Sequence, residues 1–347
     1  MKSSYEEYKL RKNLWLLIIL MLTTAQIMPA LGDWNIFGNL FGSKPGELET
    51  VPDLWLGYVP TVHSIDPVVL DKLYAPNFVN MKFKLIKFDS WDDLLKALRT
   101  GTIQGASLPA ALVFAAAEDG APLQIVAKSH RHGNALIVAN DVESIGELRG
   151  QKVAVPELAS TQTILLYRAL DNDTNLGGIQ LVEMEPQEMP AALSRGDIRA
   201  YVADQYIGAG DVLAGKAKWL RRSQDIWRNE TCCVLAMNKD FIARYPKAMQ
   251  ELIDGYVGSG FFIDKNHNMT VPTVGDQIPI DKKTMDECFK WGVSYASLRP
   301  TKADLEYLYD SLVKLKILKG TLDINSTLDT TFISRTYKNN ELLAPCG

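Results

Sequence analysis

The sequence predicts an α/β protein of two lobes, each built on a mainly parallel sheet flanked by helices. A chain of 347 residues is too long for one ordinary hydrophobic core, which favours two lobes. Short apolar segments of strand length alternate with segments of helical periodicity, an order typical of parallel sheets. Polar residues follow directly after several predicted strands, where open α/β sheets bind ligands.

The first lobe is predicted from strands and helices that alternate early in the chain. A strand that ends at Tyr58 precedes a helix from about Ser64, and Asp89 is the expected cap of the next helix. An alanine-rich helix begins after the small-residue corner at Ser107 and Pro109. The strands of this series are predicted at 54–58, 83–87, 103–108 and 123–128.

A second series of the same kind begins after Ala139. One helix is expected to begin near Ser160 and another to cover 187–195. A long helix at 240–257 follows, and the pattern is then mainly helical up to Thr336. The strands of this part are predicted at 153–155, 179–183, 198–203 and 232–237.

The lobe boundaries follow from this order. The economical arrangement inserts the second lobe into the first, and the C-terminal helices return to brace the first lobe. The chain then crosses between the lobes near residues 137–140 and 228–232, which are the expected hinges. The expected ranges are 53–138 and 231–337 for the first lobe, 139–230 for the second lobe and 338–347 for a tail.

The N-terminus has the features of an export signal. Within residues 1–32, four basic residues precede an apolar run and a small-residue cleavage site, which predicts a signal peptide removed before Asp33. The alternative is an uncleaved membrane anchor, because residues 14–31 reach the lower length limit of a spanning helix. Both readings place the folded part on the periplasmic or extracellular side, with residues 33–52 as a linker.

All four cysteines lie in the part that is expected to be exported, where disulfide bonds are permitted. The adjacent residues Cys232 and Cys233 would form only a strained ring with each other. Either one of them pairs with Cys288 or Cys346, or all four stay buried as small apolar residues, and the sequence leaves both readings open. Sequons for glycosylation, relevant only in a host that modifies exported proteins, begin at Asn172, Asn229, Asn268 and Asn325.

Charge and motifs argue against two classes of function. The formal charge is −4 and the chain has no basic patch, whereas nucleic-acid binding requires many phosphate-neutralising Lys and Arg. The sequence also lacks the Gly-x-Ser-x-Gly elbow, the His-Glu-x-x-His motif, the Walker loop and the dinucleotide fingerprint. We therefore expect a protein that binds a ligand and is not an enzyme.

Several short motifs occur in a distinctive order and spacing. They are Gly57-Tyr58, Leu98-x-x-Gly101-x-Ile103-x-Gly105-Ala106, Gly133-Asn134-Ala135, Leu148-x-Gly150-x-Lys152-Val153, Gly196-Asp197-Ile198, Ala203-Asp204 and Cys232-Cys233-Val234-Leu235. Together they resemble the solute-binding proteins of the nitrate, sulfonate, taurine and bicarbonate ABC importers. Each motif is weak alone, and the resemblance covers about residues 53–318.

The resemblance implies a type II periplasmic-binding-protein-like fold, in which two lobes close around a small solute and hand it to a permease in the membrane. The resemblance does not specify the ligand. Because the predicted cleft has no basic residue, we expect a sulfonate-like or other small organic anion more than an inorganic one, and we expect a monomer. Two alternatives stay open. One is an exported sensory module that reports the solute to a receptor. The other is an enzyme similar to the thiamine-pyrimidine synthase, of whose cysteine cluster Cys232-Cys233 is only a fragment.

The candidate ligand-binding residues follow predicted strands. Ser160, Thr161 and Gln162 open a helix, whose free N–H groups and dipole can hold an anion without Lys or Arg. An ordinary helix cap without a ligand is the alternative reading of these three residues. The other candidates lie at further strand ends and corners, at Tyr58, His63, Ser107, Pro109, Asn134 and Asp204.

Several polar candidates also have a purely structural explanation. Tyr58 suits core packing as well as a cleft wall, and Asp204 suits a helix cap as well as contact with an amine of the solute. His130 and His132 would share a face of an extended segment, as metal ligands can, but no third ligand accompanies them in the sequence. The sequence therefore predicts no metal and no cofactor, and it places both histidines near a hinge.

Overall fold

The computed structural model describes residues 51–339. The predicted signal segment 1–32, nearly all of the linker at 33–52 and Cys346 in the tail lie outside the described residues. Within the described part, no helix is both long and apolar enough to cross a membrane.

Two five-stranded sheets form the framework of residues 51–339. The first sheet consists of β1 (Asp53–Tyr58), β2 (Lys82–Lys87), β3 (Gly105–Pro109), β4 (Leu123–Lys128) and β10 (Cys233–Asn238). The second consists of β5 (Asn134–Ala139), β6 (Lys152–Val155), β7 (Gln180–Glu183), β8 (Ala200–Asp204) and β9 (Ala217–Arg222).

In each sheet four strands run in one direction and one strand runs in the other. The first sheet has the order β2-β1-β3-β10-β4, in which β10 is antiparallel to both neighbours. The second has the order β7-β6-β8-β5-β9, in which β5 is antiparallel to both neighbours. Each reversed strand is the first one after the chain has crossed from the other lobe. The predicted two-lobed α/β fold with mainly parallel sheets is confirmed.

The first crossing between the lobes lies earlier than the sequence predicts. The expected crossing at 137–140 falls within β5, whose pairing with β8 places it in the second sheet. The chain instead crosses at 129–133, between β4 and β5. The return crossing at 227–232 precedes β10 and agrees closely with the predicted one. The lobe boundary drawn from the sequence therefore moves into the segment 129–133.

Helices cover the faces of both sheets. Those of the first part are α1 (Ile65–Val69), α2 (Trp91–Arg99), α3 (Ala110–Glu118), α4 (Thr161–Ala169), α5 (Met189–Arg195), α6 (Gln205–Leu213) and α7 (Ser223–Ile226). Those that follow β10 are α8 (Lys239–Arg244), α9 (Pro246–Lys265), α10 (His267–Val274), α11 (Lys282–Lys290), α12 (Lys302–Lys314), α13 (Ile324–Thr327) and α14 (Thr331–Asn339).

Two helix ends differ from the predictions. Ser90, not Asp89, caps α2, because the Ser90 Oγ accepts the N–H of Asp93 at 3.1 Å. The long helix predicted at 240–257 is two helices, α8 and α9, separated at Tyr245, whose φ of −129° is not helical. Pro246 follows as the first residue of α9, a position that needs no N–H donor.

The C-terminal helices pack on both lobes. On α12, Leu305, Leu308 and Leu312 are fully buried, and this helix contacts α3 of the first lobe and α4 of the second. Further along, α14 packs against α9 of the first lobe. The C-terminal helices pack on the first lobe, as the sequence suggests. In addition, α12 packs on the second lobe.

Candidate binding site

A cleft between the two sheets collects the ends of their strands, with a cavity volume of about 80 Å³. Its first-lobe wall contains Thr61, His63, Trp91, Pro109, Cys232 and Cys233. Its second-lobe wall contains Pro156, Glu157, Ala159, Ser160, Gln162, Pro186, Asp204, Tyr206 and Ile207. Parallel strands end at this edge and the reversed strands begin there, so residues from several distant segments meet.

The start of α4 supplies backbone donors to the cleft. Ser160 is the N-cap, and its Oγ accepts the N–H of Thr163 at 3.2 Å and donates to the carbonyl of Glu157 at 2.5 Å. The N–H groups of Thr161 and Gln162 in the first turn have no acceptor within the helix. The helix dipole adds partial positive charge at the same point. This helix end can therefore hold an anion without a basic side chain.

The side chains around this helix start are acidic. Glu157 and Asp204 line the cleft, whereas no Lys or Arg is among its lining residues in the part of the chain described. The Asp204 Oδ1 lies 3.2 Å from the His63 Nε2. Burial acts to lower the pKa of His63, but Asp204 and Cys232 outweigh it, so this pKa lies well above its ordinary value. Asp204 and His63 therefore form an ion pair that joins the two walls of the cleft.

Glu157 is held where its charge is unfavourable. Burial, together with the nearby Asp92, Glu183 and Glu185, raises the pKa of Glu157 from 4.5 to about 7. The folded protein binds the Glu157 proton more tightly than the unfolded chain does, so protonation of Glu157 stabilises the fold at low pH. This contribution is lost as the pH rises from 4.5 through about 7. At neutral pH and above, the Glu157 carboxylate therefore destabilises the second-lobe wall.

Replacing Glu157 with glutamine is expected to stabilise the protein above pH 7. Glutamine keeps the shape without the charge, so the gain should be about 1–2 kcal/mol after allowance for solvent screening of this partly exposed group. The check is the free energy of unfolding in denaturant for both proteins at about pH 5 and about pH 8. An equal dependence on pH in both proteins would contradict the assignment.

Five of the nine predicted ligand-binding residues line the cleft, namely His63, Pro109, Ser160, Gln162 and Asp204. The other four are buried away from its walls. Tyr58 packs in an apolar cluster with Val62 and Ile65, which is the core alternative considered for it. The Ser107 hydroxyl is hydrogen-bonded to the Ser129 hydroxyl at 2.8 Å, so the side chain at this corner is not presented to a solute.

Asn134 and Thr161 hold the second lobe to the return crossing. The Asn134 Nδ2 donates to the Glu230 Oε1 at 2.5 Å, and the Asn134 Oδ1 accepts from the Gln162 Nε2 at 2.9 Å. The Thr161 hydroxyl donates to the carbonyl of Thr231 at 3.0 Å. These two candidates therefore hold α4 and β5 against the return crossing, and their side chains have structural partners.

Two histidines and two cysteines form a buried group in the first-lobe wall, which we call the histidine–cysteine cluster. It consists of His63 after β1, His130 in the first crossing, Cys232 in the return crossing and Cys233 at the start of β10. The rings of His63 and His130 stack with centroids 3.9 Å apart. A hydrogen bond from Cys233, aided by both histidines, holds the pKa of Cys232 well below its ordinary value despite burial.

The described cysteines follow one of the two readings that the sequence left open, and both histidines lie in the segment between β4 and β5. Cys232, Cys233 and Cys288 are free buried thiols, which agrees with the reading of unpaired cysteines and not with a bond to Cys288, while Cys346 lies outside the described residues. Of the two neighbouring histidines, only His130 belongs to the cluster. The other, His132, has its Nδ1 3.8 Å from the Glu230 Oε2.

The sequence reasoning missed several residues of the walls. Glu157 lies between β6 and the start of α4, and the sequence prediction considered only the helix start there. Its place just after a strand was the signal that could have identified it as a wall residue. Thr61 and Trp91 also line the cleft, but neither belongs to a motif. The contact between His63 and Cys232 joins residues 169 positions apart, which no local pattern reveals.

Comparison with known proteins places this geometry in a family. Residues 47–271 match the family model described as the NMT1-like family. The taurine-binding periplasmic protein of Escherichia coli (strain K12) is 29% identical over 169 residues, which are 47% of this chain and 52% of that protein. The chain therefore spans about half the length of this relative.

Solved structures with the same fold include binding components of import systems. The ligand-binding component of an ABC-type import system from Staphylococcus aureus, solved with zinc bound, has a TM-score of 0.73 at 24% identity over 82% of this chain and 99% of that chain. The periplasmic aliphatic sulphonate binding protein SsuA of Escherichia coli has a TM-score of 0.69 at 18% identity, over 80% of this chain and 92% of that chain. At these identities the similarity is one of fold, and it confirms the periplasmic-binding-protein architecture. Since the family match covers most of the chain, the protein belongs to the NMT1-like family.

Proposed function

We propose that this protein is the extracytoplasmic solute-binding component of an ABC importer. It captures one small solute between its lobes and delivers it to a permease in the membrane. The similarity to a taurine-binding periplasmic protein and the cleft at the strand ends support this role. The predicted export signal within residues 1–32 and the absence of a membrane-spanning helix within residues 51–339 are compatible with it.

The solute is a small organic anion of the sulfonate class that also carries an amino group. The observation behind this proposal is that one cleft combines the free N–H groups at the start of α4 with the Asp204 carboxylate, and has no Lys or Arg in its walls. The helix start suits the sulfonate, because N–H groups and the dipole stabilise negative charge. Asp204 suits the ammonium group of the same molecule.

Capture proceeds by hinge closure of the lobes. The two crossings at 129–133 and 227–232 are the segments of residues 51–339 where the main chain passes between the sheets. Such segments absorb the backbone rotation when lobes close around a ligand. Both lobes contribute walls to the cleft. Closure therefore brings the second-lobe wall, with Asp204, and the first-lobe wall, with Pro109, around one solute. We propose that the protein does this as a monomer.

A thermal-shift screen is expected to identify the solute. A ligand that binds the folded state alone at about 100 times its Kd adds about 2.7 kcal/mol of stability, which raises the Tm of a chain of this size by roughly 5 °C. Taurine and other aminosulfonates should give the largest shift, alkanesulfonates a smaller one, and nitrate and bicarbonate little. A screen in which nitrate or bicarbonate outperforms every sulfonate would overturn the proposed solute class. A screen in which no compound acts would contradict the binding function itself.

A further inference from the structure

The four side chains of the histidine–cysteine cluster are spaced as the ligands of one metal ion. Their nitrogen and sulphur atoms all lie within 4.8 Å of one another, and all four residues are buried. The Cys232 Sγ is 3.8 Å from the His63 Nδ1 and 3.9 Å from the Cys233 Sγ. In a tetrahedral zinc site, bond lengths of about 2.3 Å to sulphur and 2.0–2.1 Å to nitrogen place neighbouring ligand atoms roughly 3.4–3.8 Å apart.

The hydrogen bonds of His63 orient it as a metal ligand. Its Nε2 lies 3.2 Å from the Asp204 Oδ1 and 3.4 Å from the carbonyl of Gly133. Both neighbours are acceptors, so Nε2 carries a hydrogen, and Nδ1 is the atom directed at Cys232. A carboxylate behind the far nitrogen of the ring is the usual support of a metal-bound histidine.

His130 is oriented in the same way from another segment. Its Nδ1 lies 2.8 Å from the carbonyl of His132, so this nitrogen carries the hydrogen. Its Nε2 is fully buried and, apart from the weak interaction with the Cys232 thiol, has no hydrogen-bond partner within the described residues. A buried acceptor without a partner costs free energy, and a cation at this point would satisfy it.

Ordinary packing explains this arrangement less well. Free buried thiols commonly behave as small apolar groups, and Cys288 in the same lobe is such a residue. Packing alone gives no reason for two histidines, each held by a backbone or carboxylate acceptor on one nitrogen, to direct their other nitrogens at two thiols. A disulfide is not the explanation either, because the sulphurs of Cys232 and Cys233 are 3.9 Å apart.

We propose, against the expectation from the sequence, that His63, His130, Cys232 and Cys233 bind one Zn²⁺ ion. Two thiolates with two imidazoles form the ligand set that selects this ion among the common divalent metals. The ion displaces the protons carried by the two cysteines and the His63 Nδ1, and these protons go to solvent. His63, Cys232 and Cys233 also line the cleft, so the ion would add positive charge to a wall without Lys or Arg. This inference goes beyond the proposed function and does not depend on it.

Cobalt substitution tests the site directly. We expect the purified protein, stripped with chelator under reducing conditions, to bind one Co²⁺ per chain with the visible bands of tetrahedral coordination and a thiolate charge-transfer band. Zn²⁺ should displace the cobalt. The variant Cys232→Ser/Cys233→Ser should lose the charge-transfer band and bind at least about 100-fold more weakly, and Asp204→Asn should bind about 10–100-fold more weakly. Cys288→Ser is the matched control and should behave as the wild type.

The proposal is overturned if the wild type shows no thiolate band with Co²⁺, or if the double cysteine variant binds like Cys288→Ser. If the double variant does not fold, His130→Gln provides the same test, and unchanged Co²⁺ affinity in it overturns the site. The thermal-shift screen of solutes is run on the same protein with and without chelator. If a solute raises the Tm but the protein binds no metal, the metal site alone is refuted. If the protein binds metal but no solute raises the Tm, the proposed function alone is refuted.

Discussion

Replacing Asn134 with leucine is expected to lower the free energy of unfolding by about 3 kcal/mol. Asn134 donates to the carboxylate of Glu230, which is fully buried, over 2.5 Å. Leucine has a similar shape but no donor, so the Glu230 carboxylate loses this hydrogen bond in a buried place. Removing one partner of a buried charged group exposes the full desolvation cost of the other. The measurement is equilibrium unfolding in urea.

The matched control is the same substitution at Asn140. Its side chain also donates to an oxygen, the carbonyl of Gly215 at 2.6 Å, but this bond is exposed to solvent. Asn140→Leu should therefore change the free energy of unfolding by no more than about 0.5 kcal/mol. Equal losses in the two variants would contradict the larger cost that burial of the bond between Asn134 and Glu230 implies.

Replacing Ala159 with phenylalanine is expected to abolish solute binding while leaving the fold intact. Ala159 lies in the second-lobe wall, directly before the helix cap at Ser160. An aromatic ring there occupies the space in front of the N–H groups of α4. We expect the Kd to rise at least about 100-fold, equivalent to about 2.7 kcal/mol of binding free energy. Calorimetric titration with the solute found in the thermal-shift screen gives this value.

Leu158→Phe is the control for this prediction. Leu158 is the preceding residue, is 39% exposed and is not among the residues of the cleft walls. Both variants should unfold at the wild-type temperature, because neither residue is in the buried core. If Ala159→Phe binds the solute with wild-type affinity, the solute does not bind at the start of α4. If both variants lose affinity equally, the effect of Ala159→Phe is indirect.

Most strands were predictable from the sequence because their apolar residues are local signals. The strand predicted at 123–128 coincides with β4. The first crossing was placed too late for a physical reason. The apolar run of β5 reads equally well as the last strand of one lobe or the first strand of the next, and only its pairing with β8 decides between them. The break between α8 and α9 was signalled by Pro246, which the helical periodicity on both sides obscured.

The site was predictable where it depends on strand ends. Pro109, Ser160 and Asp204 each follow or end a strand at the shared edge, and all three line the cleft. Tyr58 packs in the apolar core at the end of β1. Ser107 lies inside β3, two residues before Pro109 and on the same face of the strand, but it is buried and its hydroxyl is bonded to Ser129. These tertiary contacts are not visible in the sequence alone.

The histidine–cysteine cluster could not be predicted from spacing. Its members come from three segments, at His63, His130 and the adjacent Cys232 and Cys233, and none of them forms a metal-binding motif by itself. In the sequence, His130 pairs only with its neighbour His132 as a candidate ligand, because one dimension shows only ligands that are close along the chain. The fold instead places His130 over the ring of His63.

The central claim is that the cleft binds one small aminosulfonate-like solute per chain. Calorimetric titration of the purified wild-type protein with taurine tests it most directly, with the other sulfonates of the panel as further titrants. The account predicts saturable heat with a stoichiometry of one for at least one of these compounds, and no such heat for nitrate. A folded protein that gives no saturable heat with any sulfonate would contradict the account.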